Sequence, residues 1–406
     1  MTGIFIAQLV TVAAYPIITR LYGPESFAAL VLFSAIASTP AAAASGRYDL
    51  AIVIAKDPLD RLRLLYLSLC ICGGFSAFLA AALLLGRTPL VDLLNAEHLG
   101  NWLFVAPLAL FLFAANAALR GFANGINNYS LISRTIGGQS VVVCTVSILL
   151  GGLGFEASGQ ILAFTLGLTF CFLVLSYSYR KELSAFVSEK NHGLLRLAVA
   201  YKRFPIFEAL PSLLNGIQLA MPIFFLTKYY PESVVGFYAL LSRVAGIPMT
   251  LVGQAVSLVH LRKSAELSDK QDEARRYIYR LTLVLFALIC PVTIILMLFA
   301  PEIFGTAFGQ RWREAGEFLT ILMPSIALRF VVSSLSNAVS STGNNHLGAA
   351  WKLFAFTITL AMYLKLAGTL DVRDMLFAMM LTDLISYSMY YLVIIYSVRN
   401  PRTTEK

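Results

Sequence analysis

Two stretches of this sequence repeat one phrase: TRLYGPESFAALVLFSAIASTP at residues 19–40 and TKYYPESVVGFYALLSRVAGIP at residues 227–248. The shared Pro-Glu-Ser begins at Pro24 in the first copy and at Pro231 in the second, 207 positions later. In both copies the proline and the acidic residue precede a long apolar run, which is typical of a short turn that leads into a helix. The phrase therefore predicts the same structural element twice, once in each half of the chain.

A second pair of matching stretches follows in the same order. GINNYSLIS at residues 125–133 resembles TGNNHLGAA at residues 342–350, so that Asn127–Asn128 is paired with Asn344–Asn345. Chance can explain one such match, but several matches in one order indicate an internal duplication.

The composition places the chain in a membrane. Hydrophobic residues make up 58% of the sequence, charged residues only 13%, and the mean hydropathy is +0.75. A soluble domain carries about a quarter charged residues. Residues 278–300 and 375–396 each supply the roughly 20 apolar residues that cross a bilayer as a helix. We therefore expect an all-α integral membrane protein.

Apolar segments separated by charged residues, proline and glycine predict about twelve transmembrane helices. The expected spans are 2–19, 27–54, 64–86, 101–124, 131–152, 157–178, 207–227, 233–260, 277–300, 316–341, 346–367 and 374–397. The second and eighth are longer than a perpendicular span needs, so we expect them to tilt or protrude. The first residues lack the basic segment and cleavage site of a signal peptide, and the short first span suggests that a few residues precede Met1.

Lysine and arginine set the orientation. The even-numbered loops and the C-terminal tail hold 21 of the 31 basic residues, whereas the odd-numbered loops hold seven. Because cytoplasmic loops carry the excess of positive charge, we expect both termini and all even-numbered loops in the cytoplasm. The net charge of +9 follows from this bias and gives no reason to expect a nucleic-acid partner.

The spans group into two halves. We expect a six-helix bundle at residues 1–178, a cytoplasmic linker at 179–206, a second six-helix bundle at 207–397 and a cytoplasmic tail at 398–406. Six helices separate the copies of the repeat, so both copies have the same orientation and form a parallel repeat, with a cavity expected at the interface as in a transporter. The second half of the linker is consistent with a helix on the inner membrane surface or with a solvated linker.

Three arginines lie within predicted spans, namely Arg47, Arg243 and Arg329, and Arg120 lies at the inner end of the fourth span. A charge in the membrane costs about 2.5–3.5 kcal/mol on insertion scales, so such residues usually face a bundle interior or a water-filled cavity. Because arginine stays charged and can bind phosphate through two parallel hydrogen bonds, these four residues are candidate ligands of an anionic substrate. The structural alternative is that Arg47 pairs with Asp49 or extends from the helix end toward water.

Acidic residues within the spans suggest a second role. Asp49 and Asp383 are candidate sites for a coupling proton or sodium ion, because acidic residues in transporters often carry the coupling ion. The two copies of the repeat differ at this point, since Arg47 and Asp49 correspond to Gln254 and Val256. We therefore expect an asymmetric cavity.

Motifs of catalysis and metal binding are missing from the sequence. The five cysteines lie in apolar segments and the four histidines are scattered, so we predict no metal site. The sequence contains no phosphate loop, zinc-protease motif or nucleophile elbow. We expect no catalytic residues, no cofactor and no enzymatic activity.

Several stretches resemble one transporter family. GRYDLAIVIAKD, AYKRFPIFEALPSLLNGI, GFYALLSRVAGIPMTLVGQAVS and NNHLGAAWK, together with the first repeated phrase, resemble the Wzx-type polysaccharide-biosynthesis flippases. These belong to the multidrug/oligosaccharidyl-lipid/polysaccharide exporter superfamily, abbreviated MOP. The resemblance covers essentially the whole chain in order, and RYDLAIV and YKRFP are its most specific stretches. It implies a V-shaped, MATE-like fold of two six-helix bundles.

The same resemblance implies a function. Such flippases move undecaprenyl-diphosphate-linked oligosaccharide between the leaflets of the bacterial inner membrane, by alternating access, for O-antigen, capsule or exopolysaccharide assembly. The motif GRYD places Arg47 and Asp49 in the charged stretch of the family, Arg243 lies in the eighth-helix motif, and Arg329 matches none of the quoted motifs. The implied partners are the lipid-linked substrate, membrane lipid, a coupling proton or sodium ion, and other polysaccharide-assembly proteins.

Three alternatives stay open. A cation-coupled multidrug exporter of the same superfamily is expected to have an acidic or aromatic cavity, whereas this chain embeds three arginines. A membrane glycan polymerase or ligase is expected to have a large periplasmic loop, and the odd-numbered loops are short. A lipid II flippase usually has additional helices beyond twelve.

Overall fold

The computed structural model describes residues 2–86, 91, 97–187, 193–266 and 271–400, and over these residues the chain forms helices and no strand. Twelve of the described helices have 20 residues or more. They are α1 (Thr2–Leu21), α2 (Pro24–Ala44), α4 (Pro58–Leu85), α5 (Ala106–Gly125), α6 (Tyr129–Gly152), α7 (Ala157–Ser178), α10 (Leu210–Tyr229), α11 (Glu232–Glu266), α12 (Gln271–Ala307), α13 (Arg313–Ser334), α15 (Asn345–Leu366) and α16 (Val372–Arg399). The short helices are α3 (Tyr48–Ile54), α8 (Arg180–Val187), α9 (Leu194–Ala200) and α14 (Asn337–Ser341).

These helices have the length and composition that a membrane requires. In the described part of the chain, ten helical segments are long and apolar enough to cross a membrane, and Ala7–Leu21 is a shorter apolar helix. α11 and α12 have 35 and 37 residues. Each therefore extends more than about 50 Å, beyond the hydrocarbon core of roughly 30 Å. The prediction of an all-α membrane fold with about twelve long helices is confirmed.

Two compact units divide the chain, Met1–Gly236 and Phe237–Lys406. In the first unit α1 packs on α6, α6 packs on α7, and α5 lies against α2, α4 and α7. α10 belongs to the first unit because it packs along α2, where Gly216 lies against the Thr39 carbonyl. In the second unit α13 lies against both α12 and α16, and α15 lies on α16. The division into six-helix bundles at residues 178 and 207 stays a prediction.

The internal repeat is visible where the fifth long helix of each half begins and the sixth ends. Asn128 caps the start of α6 by accepting a hydrogen bond from the Leu131 amide at 3.2 Å, and its side-chain amide lies 3.5 Å from the Tyr179 hydroxyl, just after α7. Asn344 precedes α15, and its side-chain amide donates to the Asn400 carbonyl at 3.0 Å, just after α16. In each half an asparagine joins the start of the fifth long helix to the end of the sixth. The structure therefore pairs Asn128 with Asn344, one residue away from the pairing read from the sequence.

The repeated phrase forms the two short connections α1–α2 and α10–α11. Pro24 is the first residue of α2, and α11 begins at Glu232, directly after Pro231. Tyr22 is buried in the first connection and donates a hydrogen bond to the Ser147 carbonyl at 2.8 Å. Burial raises the pKa of Tyr22 to about 12, so its hydroxyl remains a donor at all ordinary pH values.

The linker between the halves contains the short helices α8 and α9. α9 packs on α4, Leu197 is buried, and the Tyr48 hydroxyl donates to the Ala198 carbonyl at 3.0 Å. Leu195 and Val199 are exposed one turn apart. One face of α9 is thus fixed to the first unit while another presents apolar side chains outward. Its position on the inner membrane surface stays a prediction.

Candidate functional site

The second predicted span is two helices, not one. α2 ends at Ala44 and α3 begins at Tyr48, and between them Gly46 and Arg47 both adopt left-handed backbone, with φ of 59° and 58°. Left-handed backbone costs a non-glycine residue about 1 kcal/mol or more, so contacts around Arg47 must hold it in this conformation. The expectation of a continuous helix over residues 27–54 is therefore wrong at the position of the charged residues.

Arg47 and Asp49 form an ion pair at this break. An Arg47 guanidinium nitrogen lies 3.3 Å from Asp49 Oδ2, and the Ser45 hydroxyl donates to Asp49 Oδ1 at 2.7 Å. Asp49 is buried, whereas 24% of the Arg47 side chain is exposed. Arg47 Nε is buried and has no hydrogen-bond partner among the described residues. The ion pair between Arg47 and Asp49, which was the structural alternative to a substrate-binding role, is thus present. The Nε–H group of Arg47 has no acceptor among the described residues.

Two glycines allow α5 to approach α3 closely. A β-carbon at Gly121 would lie 2.7 Å from the Asp49 carbonyl oxygen, and one at Gly125 would lie 3.1 Å from the Ile52 carbonyl oxygen. Glycines four residues apart lie on one helix face, so this spacing permits backbone-to-backbone contact along α5. The glycines thus bring the backbone of α3, including Asp49, directly against the C-terminal end of α5.

Arg120 lies beside this contact, one residue before Gly121. It is partly buried, and its Nε donates to the Asn116 carbonyl at 3.3 Å. The Asn116 side chain is fully buried and donates to the Leu168 carbonyl at 3.0 Å, which ties α5 to α7. The structure therefore brings Arg120 and the Arg47–Asp49 pair onto adjoining helices of the first unit.

The second unit brings together two charged residues that lie far apart in the sequence. Arg329 of α13 and Asp383 of α16 are both partly buried and lie within electrostatic range of each other. Tyr387 follows Asp383 by one helical turn, and the Arg329 guanidinium carbon lies 5.8 Å from the centre of its ring. Tyr238 of α11 lies within electrostatic range of both charges. The second unit thus brings two of the predicted site residues, Arg329 and Asp383, close to each other.

A tryptophan extends this group. The Trp351 ring on α15 stacks on Tyr390, with centroids 3.8 Å apart and an interplanar angle of 12°, and its centroid lies 5.7 Å from that of Tyr387. The Trp351 indole N–H donates to the Ser386 carbonyl at 2.8 Å, which fixes the ring orientation. We refer to five side chains as the Arg329–Asp383 cluster. They are Tyr238, Arg329, Trp351, Asp383 and Tyr387.

Arg243 lies on the same helix as Tyr238, five residues later, and is exposed. The side chain of Gln254 lies outside the described residues, and Val256 packs against the hydrophobic core of the second unit. The expected asymmetry of the cavity therefore stays a prediction.

Three members of the cluster were not predicted from the sequence. Tyr238, Trp351 and Tyr387 are aromatic residues in apolar helices, where most aromatic residues only fill space. One available indication is that Tyr387 follows Asp383 by four positions, which places the two on one helix face. Tyr238 and Trp351 come from other helices, and no local pattern links them to Asp383.

The comparisons with known proteins give a family and a fold. The family model described as polysaccharide biosynthesis protein matches residues 17–317, which is most of the chain. No curated protein matches the chain.

Similar solved structures include three transporters. The lipid II flippase MurJ, in its inward closed conformation, aligns with a TM-score of 0.75 at 12% identity, covering 98% of this chain and 89% of that chain. An outward-facing multidrug resistance MATE family transporter of the MOP superfamily aligns with a TM-score of 0.64 at 17% identity, covering 99% of this chain and 94% of that chain. A MOP superfamily transporter from Pyrococcus furiosus aligns with a TM-score of 0.61 at 16% identity, covering 98% of this chain and 94% of that chain. At these identities the likeness establishes the fold.

Proposed function

Because the chain belongs to the polysaccharide biosynthesis protein family, we propose that it is a flippase for undecaprenyl-diphosphate-linked oligosaccharide. It carries this lipid from the cytoplasmic to the periplasmic leaflet of a bacterial inner membrane, and the glycan then serves assembly of a surface polysaccharide such as O antigen, capsule or exopolysaccharide. The fold shared with MOP superfamily transporters supports the proposal. The basic bias of the even-numbered loops supports cytoplasmic termini.

One observation carries the proposal beyond the family: charged side chains lie in or between apolar helices. Arg329 and Asp383 are partly buried within α13 and α16, and the Arg47–Asp49 pair lies at the break between α2 and α3. Such charges are expensive in a bilayer and are usually retained where a substrate or ion passes. Arg47, Arg120, Arg243 and Arg329 supply positive charge for an anionic substrate, and arginine matches the geometry of phosphate oxygens. In the proposed cycle these arginines bind the diphosphate-linked glycan while the lipid tail remains in the bilayer, and alternating access then exposes the glycan to the periplasm.

Transport against a gradient requires a source of energy, and a proton or sodium gradient is the source that we propose. Asp49 and Asp383 are the two proposed coupling sites, for a proton or for sodium. Asp49 already has two partners, Arg47 and Ser45, whereas Asp383 has neither a hydrogen bond nor an ion pair within the described part of the chain. An ion that binds Asp49 therefore has to compete with the Arg47 guanidinium.

A second candidate is the flipping of lipid II, a diphosphate-linked peptidoglycan precursor. The TM-score of 0.75 with MurJ favours it. The family match favours a polysaccharide precursor instead, because it names polysaccharide biosynthesis over residues 17–317. Export of drugs is a third candidate, supported by the fold of the MATE transporter.

A transport assay separates these candidates. The full-length protein is reconstituted in liposomes with fluorescent polyprenyl-diphosphate glycan, with fluorescent lipid II, or with a cationic dye, each with and without a proton or sodium gradient. The proposal expects transfer of the glycan lipid that exceeds transfer of lipid II and no movement of the dye. Transfer of lipid II alone, or of the dye alone, contradicts it.

Single alanine substitutions of Arg47, Arg120, Arg243 and Arg329 then test the proposed residues. Each is expected to slow transfer by about tenfold or more, because one charge-assisted hydrogen bond is worth about 1.5–3 kcal/mol. Arg373→Ala is a matched control, since the Arg373 side chain is 67% exposed in an ion pair with Glu317. Normal transport by all four variants would show that these arginines do not bind substrate.

A further inference from the structure

The Arg329–Asp383 cluster combines two charged groups whose hydrogen-bonding capacity is unused with an aromatic ring that is held in place. Within the described part of the chain, neither the Arg329 guanidinium nor the Asp383 carboxylate forms a hydrogen bond or an ion pair, although both residues are partly buried. In contrast, Trp351 is fixed by a hydrogen bond to the Ser386 carbonyl and by stacking on Tyr390. A fixed aromatic wall beside charged groups with unused hydrogen-bonding capacity is the composition that a preformed binding site has.

The carboxylate determines which part of a lipid-linked glycan such a site can hold. A diphosphate offers only acceptor oxygens and negative charge at neutral pH, and an ionised carboxylate is itself only an acceptor. An ionised Asp383 therefore repels a diphosphate that approaches Arg329. A sugar, in contrast, offers hydroxyl groups that donate to Asp383 and accept from Arg329, and it carries no obligatory charge.

The aromatic residues fit the rest of a sugar ring. A pyranose presents C–H groups on its faces and hydroxyl groups around its rim, so an aromatic ring covers a face while charged groups reach the rim. Tyr387 provides a ring next to both charges, with the Arg329 guanidinium carbon 5.8 Å from its centre. Trp351 lies 5.7 Å from Tyr387 at an interplanar angle of 58°, so the two rings form two walls rather than one flat surface.

We propose that Tyr238, Arg329, Trp351, Asp383 and Tyr387 form a subsite for a sugar of the transported glycan. The proposal rests on the function proposed above and deepens it. It assigns Arg329 to the glycan and leaves Arg47, Arg120 and Arg243 for the diphosphate. It also assigns Asp383 to substrate recognition, so that Asp49 is the remaining one of the two proposed coupling sites.

The test compares two ligands that differ only in the glycan. The first is the polyprenyl-diphosphate glycan extracted from cells that lack the transporter, and the second is the bare polyprenyl diphosphate. Dissociation constants are measured with the full-length protein in nanodiscs. Asp383→Asn and Tyr387→Leu are expected to weaken binding of the glycan lipid by about tenfold, through lost hydrogen bonds and a lost ring contact. Both variants are expected to bind the bare lipid within about twofold of the unmodified protein.

Matched substitutions on the same helix serve as controls. Asp374→Asn changes an exposed carboxylate of α16, and Tyr396→Leu removes an exposed ring of α16. Neither is expected to change binding of either lipid. These controls also show whether loss of a charge or ring on α16 lowers affinity for a general structural reason.

Each outcome has a distinct meaning. Equal loss of affinity for both lipids overturns the glycan assignment and makes the cluster a diphosphate site or a structural element. Normal glycan binding by Asp383→Asn overturns the glycan assignment, and loss of the response to an ion gradient by the same variant in the liposome assay assigns Asp383 to ion coupling instead. If the unmodified protein binds neither lipid, the proposed function itself fails.

Discussion

The Pro24 carbonyl lies against the α-carbon of Gly236 so closely that a β-carbon at residue 236 would overlap it. The two residues belong to the two copies of the repeated phrase: Pro24 begins the Pro-Glu-Ser of the first copy, and Gly236 follows Pro231 of the second by five positions. The start of α2 and the first turn of α11 are thus in backbone contact. The shared Pro-Glu-Ser is a structural element that fixes helix starts. Of the four candidate arginines, only Arg243 lies within the repeated phrase, in its second copy.

Substitution of Gly236 is expected to destabilise the protein. Gly236→Val places a branched side chain where the Pro24 backbone already lies, and overpacking of this kind costs about 1–3 kcal/mol or more. Thermal unfolding in detergent, followed by tryptophan fluorescence, measures the effect. Gly74→Ala on α4 is the control, because a β-carbon there meets nothing within 4 Å. A Gly236→Val variant as stable as Gly74→Ala would contradict the contact.

Gly121 is expected to tolerate alanine poorly. A β-carbon at residue 121 would lie 2.7 Å from the Asp49 carbonyl oxygen, so α5 has to move away from α3. We expect a loss of about 1–3 kcal/mol in the free energy of unfolding. Transport is also expected to fall, because the shift moves the segment that carries Arg47 and Asp49.

The control for this substitution is Gly152→Ala at the end of α6, where a β-carbon meets nothing within 4 Å. Alanine is favoured over glycine in a helix by up to about 1 kcal/mol, so this control is expected to be neutral or slightly stabilising. Equal stability of the two variants would show that α5 does not pack on α3 as described.

The Asp49 carboxylate is expected to stabilise the break between α2 and α3. Asp49→Ala removes the partner of both Arg47 and Ser45, and we expect a loss of about 1–3 kcal/mol. Ser45→Ala removes one hydrogen bond and is expected to cost about 1 kcal/mol. A double-mutant cycle with Arg47→Ala and Asp49→Ala, read by thermal unfolding, is expected to give a coupling of only about 1 kcal/mol because Arg47 is partly exposed. Fully additive losses would mean that the two charges do not interact.

The sequence predicts the long helices well because the bilayer imposes a simple requirement of length and apolar composition. It does not predict the break at Gly46 and Arg47, because residues 27–54 read as one apolar segment, and the close contact between α3 and α5 that follows the break is tertiary. Because each lies in an apolar segment, Arg329 and Asp383 can each be predicted from the sequence as a candidate site residue. Their proximity cannot, because it arises from the packing of α13 on α16. Trp351 and Tyr238 join them from two further helices, which is tertiary information that no local pattern contains.

Asn344 offers the sharpest test of the internal repeat, because the chain provides its own control at the next position. Asn344 is 2% exposed, and its side-chain amide donates to the Asn400 carbonyl at 3.0 Å, whereas Asn345 is exposed. Asn344→Ala leaves that carbonyl without its donor and is expected to cost about 1–2 kcal/mol, whereas Asn345→Ala is expected to change stability by less than about 0.5 kcal/mol.

The same reasoning extends to the first half, where Asn128 caps α6 and reaches Tyr179. Asn128→Ala is expected to cost about 1 kcal/mol through loss of the helix cap. Thermal unfolding of the three variants decides between the two possible registers of the repeat. Larger losses at Asn128 and Asn344 than at Asn345 support the structural pairing, and a larger loss at Asn345 than at Asn344 would contradict it. The pairing of Asn128 with Asn344 matters beyond stability. It determines which residues of the two halves are equivalent, and therefore where one half carries a charge that the other lacks.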